Sequence, residues 1–201
     1  MVVAVLRARS RFWARPVAAL LLGGAASLGA AVEADDRSPS TFAYEGTIAA
    51  VHAALAAGTL TCEALVQHYL ERVEAFDQPL GLRAVSAPNP TVLAEARALD
   101  AQQAAGAPLG PLHCVPLAVK DNMDTAGLPT TGGSAALLAV PPPTKDATII
   151  ARLRAAGALV LFKTNMAEWA FSAKESLSSS YGRTANAYDR RHTPAGPPGV
   201  R

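Results

Sequence analysis

No unit of roughly 20–50 residues recurs along the 201 positions, which excludes a solenoid. The 15 glycines and 15 prolines follow no three-residue period, so the chain is no collagen. Charge is scarce: 17% of residues are charged against 50% hydrophobic, the reverse of a disordered chain. Two cysteines and four scattered histidines show no zinc-type spacing, and neither metal nor cofactor is expected. An excess of one charge is also lacking where it would matter. The formal net charge of +2 is carried by one end, since Arg7, Arg9, Arg11 and Arg15 all precede the first acid, Glu33. From Asp35 onward 14 basic residues face 15 acidic ones, which gives no electrostatic reason to expect nucleic acid. The length suits one domain, or one and a fraction.

What is present begins with a leader. Residues 1–34 read as a secretory signal peptide: arginines first, an apolar run over 17–28, then Val32 and Ala34 at the small-residue positions before a cleavage site. The run is too short to span a bilayer comfortably, so no stable membrane insertion is expected after cleavage. There is no Arg-Arg pair to suggest the twin-arginine route. The expected location is periplasmic or secreted. In such a compartment Cys62 and Cys114 could pair, but the expectation from sequence is two separate, half-buried thiols.

A polar linker follows at 35–46, and a domain occupies 47–201. Thr47 should cap a helix ending at Gly58, and a second helix should start near Thr61. The second helix buries Leu65, Val66, Tyr69, Leu70, Val73 and Phe76 at three- and four-residue steps. Residues 82–86 suit a short strand, and 91–105 an Ala-rich helix. The apolar runs 115–119 and 158–162 read as buried strands, separated by a helix over 147–156 that Asp146 should cap. Strand, crossover helix and strand predict a right-handed βαβ unit with parallel pairing. The fold class is α/β.

Lys120 stands directly after the first of these strands. Burial disfavours an ammonium, and a lysine held neutral can act as a general base for a hydroxyl nucleophile. Taken alone, the position fits a snorkelling or salt-bridged lysine better. Its surroundings change the reading. GPLHCVPLAVKDN at 110–122 resembles the G-P-L-H-G-[VI]-P, strand, K-D-N segment of the amidase signature family. TAGLPTTGGS at 125–134, DATIIARLRAAGALVLFKTNMAEWAF at 146–171 and YGRTANAYD at 181–189 are similar to later segments of that family, in the same order. GTL at 58–60 and ERVEAFD at 71–77 resemble its opening.

The resemblance implies the N-terminal part of the amidase signature fold, helices packed on a mixed sheet with the parallel βαβ unit. It also implies hydrolysis of a small-molecule carboxylic amide by a Ser–cis-Ser–Lys triad, with Lys120 as the base. Thr131, Gly132, Gly133 and Ser134 would lie near the substrate, and Asp121 and Asn122 would fix the loop around Lys120. Lys163, Thr164 and Asn165 match the family's K-T-N, where a structural role is at least as fitting. The chain departs from the family pattern at Cys114 and Phe162, both at places where glycine is usual. A third departure is Pro197, which stands in the place of the cis-serine and brings neither hydroxyl nor N–H. Only the base therefore has a counterpart in these residues, and the chain is expected to be inactive alone. Alternatives are a non-catalytic binding remnant and an amidotransferase A-subunit-like protein.

Overall fold

The computed structural model describes residues 46–172 and 174–194. The expected leader, most of the linker and Pro197 lie outside them. Helix α1 (Ile48–Ala56) starts where Thr47 Oγ1 accepts the Ala50 N–H at 3.1 Å, and ends at Gly58 with φ +68°. Helix α2 (Cys62–Phe76) is capped in the same way by Thr61, which accepts from the Ala64 N–H. Its first turn has a second acceptor: the Asp100 carboxylate takes the N–H groups of Cys62 (2.7 Å) and Glu63 (3.0 Å). Asp100 belongs to helix α3 (Val92–Ala104), so capping one helix also docks another against it.

Strand β1 (Val85–Pro88) begins three residues later than its sequence predicts. Asp77, buried at the end of α2, accepts the Ala84 N–H through its carboxylate, and its carbonyl accepts from Leu82. Those bonds, with Arg83 at φ +50°, hold 82–84 in a turn and postpone the strand. Strand β2 (Pro116–Lys120), helix α4 (Thr148–Ala155) and strand β3 (Leu159–Thr164) form the expected βαβ unit. β2 and β3 pair in parallel, β1 pairs antiparallel to β3, and the order is β1-β3-β2. The sheet is therefore mixed, with β2 at one edge. A two-stranded ribbon of β4 (Leu177–Ser178) and β5 (Gly182–Arg183) follows.

Asp146 does not cap α4. Ala147 holds the cap position without a side-chain bond, while the Asp146 carboxylate accepts the Ala126 N–H (2.7 Å) and pairs with Arg154 (3.3 Å). The carboxylate is drawn to the preceding loop and to the last turn of the helix instead.

Leu159 and Leu161 face a core built by α1, α2 and α3, with Leu55, Leu65, Val66 and Val92. Val160 faces the opposite layer, with Leu117, Val119 and Ile150. Both faces of β3 are buried, as its unbroken apolar run requires. The two cysteines correct the sequence expectation: Cys62 and Cys114 form a disulfide, with their Cα atoms 5.3 Å apart and both side chains fully buried. The bridge ties the start of α2 to the turn before β2. That turn is tightly packed, since a Cβ on Gly157 (φ +95°) would sit 2.8 Å from His113 Cα.

Candidate active site

β2 and β3 end side by side, Lys120 opposite Thr164. In open α/β sheets the carboxyl ends of parallel strands are where ligands bind. A cavity of about 440 Å³ opens there, and Lys120, Met123, Thr164, Asn165, Met166 and Ala167 help to line it. Asn165 is fixed by the β-ribbon region, donating from Nδ2 to Gly182 O and Thr184 Oγ1, each at 3.0 Å.

Lys120 is exposed, not buried in the way its position after an apolar strand suggested. It is the last residue of an edge strand, and among the described residues no further strand lies beside it to exclude water. The buried lysine is Lys163. Its side chain is fully enclosed, with Nζ donating to Thr130 Oγ1 (2.8 Å) and Pro129 O (3.1 Å) and standing 3.7 Å from Asp121 Oδ1. Burial pushes its amine below the usual lysine value, and the carboxylates of Asp121 and Asp124 oppose that shift.

A bulge explains how a lysine enters this layer. The register between β2 and β3 slips between Leu117/Val160 and Ala118/Phe162, and Leu161 and Phe162 both pack toward the helices. After the slip Lys163 falls on the side of Val160, toward loop 129–134. Simple alternation from Leu159 would have sent it among the helices.

Asp121 organises that loop from its centre. Its Oδ2 accepts the Thr131 hydroxyl in a short hydrogen bond and the N–H groups of Thr131 and Gly133 at 3.3 Å. Its carbonyl accepts from Gly132 N. Thr131, Gly132, Gly133 and Ser134 are all buried, and none of them lines the cavity. The Trp169 ring lies against Gly132, where an added Cβ would be 3.4 Å away, and Trp169 itself holds φ +51°. Lys120, Asp121 and loop 131–134 are thus brought together as one unit, with Lys163 as the member whose role the sequence did not single out. Its signal was the K-T-N match, which named the residue but not its partner.

The fold and site define an α/β domain whose candidate chemistry sits at the carboxyl end of a parallel strand pair. The chain belongs to the Amidase family, whose profile matches residues 64–199. It is 42% identical to the A-chain component of the glutamyl-tRNA(Gln) amidotransferase of Salinispora arenicola, over 71% of this chain and 28% of that protein. Among solved structures, the native peptide amidase from Stenotrophomonas maltophilia matches with 41% identity and a TM-score of 0.70, covering 76% of this chain and 32% of that one. An amidase family protein from Bacillus anthracis matches at 33% identity and a TM-score of 0.66, over 72% and 29% of the two chains. The chain therefore spans about a third or less of the length of these relatives.

Proposed function

We propose that this chain carries the lysine-bearing portion of a hydrolase of small carboxylic amides, with Lys120 as the base. The observation that carries the reading is the place of Lys120, exposed beside a cavity at the carboxyl end of β2 and followed directly by the buried Asp121. In the proposed cycle a serine hydroxyl attacks the amide carbonyl, and its proton passes through a second serine to Lys120 Nζ. The leaving amine takes a proton, and water then hydrolyses the acyl-enzyme. Loop 131–134 flanks the substrate in this reading, held in shape by Asp121. Both serines must come from outside residues 46–194.

The test is a chimera in which residues 47–194 replace the matching segment of the Stenotrophomonas peptide amidase. It is expected to hydrolyse aryl amides, and Lys120→Ala is expected to lower kcat by about 10³-fold or more. The 201-residue chain assayed by itself is expected to show no turnover above buffer. A folded chimera that keeps its rate with Lys120→Ala would overturn the assignment. The amidotransferase relatives support a second reading, release of ammonia from glutamine; the same chimera assayed with glutamine separates the two.

We further propose export from the cytoplasm. The four early arginines, the apolar run over 17–28 and a disulfide suited to an oxidising compartment support it. Among the described residues no helix is long and apolar enough to cross a membrane. N-terminal sequencing of the protein from producing cells should find a start near Asp35, and an intact Met1 on cytoplasmic protein would refute export.

A further inference from the structure

Where α2 begins, the turn before β2 passes close enough to bring Cys62, His113 and Cys114 together. Cys62 and Cys114 are fully buried and His113 is 5% exposed. Their sulfur and ring-nitrogen atoms lie within 4.8 Å of one another. His113 Nε2 stands 3.8 Å from Cys62 Sγ, close to the spacing of two donors each about 2.0–2.3 Å from one cation. The backbone here is fixed: the Cys114 N–H donates to Gly157 O (3.0 Å), the His113 N–H to Gly110 O (3.0 Å), and the His113 carbonyl lies 3.0 Å from His52 Nε2. Burial, with His52 nearby, holds the His113 ring below the usual histidine value, which keeps a lone pair free for ligation. Among the described residues no carboxylate joins the group, since both Asp100 oxygens are committed to the N–H groups at the start of α2. Two sulfurs and one imidazole form a soft donor set, suited to zinc or copper(I) and not to magnesium or calcium.

We propose that, once the Cys62–Cys114 bridge is reduced, these two thiolates and His113 bind one cation of the zinc class, so that bridge and cation are alternative occupants of one buried corner. A dithiol reductant supplies two electrons to the sulfur–sulfur bond and is itself oxidised to a disulfide. The two protein thiols then release their protons as the cation binds, and the two thiolates balance its charge inside an apolar core. The inference stands independently of the hydrolase reading. It concerns a corner on the helix side of the sheet, and the cavity beside Lys120 is not involved.

The test uses the full chain, reduced with dithiothreitol and freed of it without air. Zinc is titrated against a chromophoric chelator, and cobalt(II) reports thiolate ligation through its charge-transfer absorption. The reduced chain is expected to bind one equivalent and the oxidised chain none. Cys62→Ser should abolish binding, and His113→Ala should weaken it at least ~10-fold. If reduction costs the chain its helical circular dichroism, zinc should restore it. The proposal is overturned if the reduced chain binds no zinc or if the oxidised chain binds as well. It also fails if His113→Ala binds like the wild type, which would mean chelation by two thiols of an opened chain, or if zinc leaves a lost helical signal unrestored.

Discussion

Replacing Lys163 with methionine is expected to destabilise the domain by about 3–5 kcal/mol, because it strands a fully buried carboxylate. Lys163 and Asp121 both have no solvent exposure, and Nζ is 3.7 Å from Oδ1. Oδ1 has no hydrogen bond of its own, so the ammonium is its charge partner. The other oxygen, Oδ2, holds Thr131 and Gly133. Methionine fills much of the lysine volume but compensates no charge, and it leaves Pro129 O and Thr130 Oγ1 without their donor. A domain of this size has only about 5–15 kcal/mol of net stability, so the loss should be plain in urea denaturation. Asp121→Asn on the Lys163→Met background removes the stranded charge, and the double variant should lose less than the two single losses added together. A single-variant loss below about 1 kcal/mol would show that water reaches the pair, and the buried-clamp account would fail.

The same pair shows where sequence reasoning stops. Thr47 and Thr61 were readable as caps because capping is local, a hydroxyl reaching an N–H three residues on. The parallel βαβ unit was readable because 115–119 and 158–162 are short apolar runs on either side of a helical one. The match around Lys120 named the family because several motifs recur in order. By contrast, Lys163 turns toward Asp121 through a slip in strand register, which no spacing reveals. Asp146 sits one residue before a cap and serves two partners elsewhere, a choice made by the tertiary positions of Ala126 and Arg154. Lys120 looked buried because its strand is apolar; its exposure depends on β2 being an edge, which is a property of the sheet. Local signals were legible, and those that depend on which elements meet were not.

The cysteines are the sharpest case of that kind, and their bridge should carry the second large effect. Fifty-two residues separate Cys62 from Cys114, so nothing local pairs them. That length makes the cross-link effective, since closing a loop of this size removes chain entropy from the unfolded state worth about 4 kcal/mol at most. Cys114 also holds φ +60°, a left-handed conformation that costs a side-chain-bearing residue of order 1–3 kcal/mol and persists only where other contacts enforce it. Cys114→Gly therefore loses the bridge while relieving the backbone, and Cys62→Ala loses the bridge alone. Under oxidising conditions Cys62→Ala should be less stable than the wild type by about 2–4 kcal/mol in urea titrations, and Cys114→Gly should lose less. Adding a reductant should lower the wild type to near the level of Cys62→Ala and leave both variants unmoved. If the oxidised and reduced wild type unfold at the same urea concentration, the bridge holds nothing that the helix-side core does not already hold. A loss confined to Cys114→Gly would instead place the effect in the turn before β2, where Cys114, His113 and Gly157 are packed together.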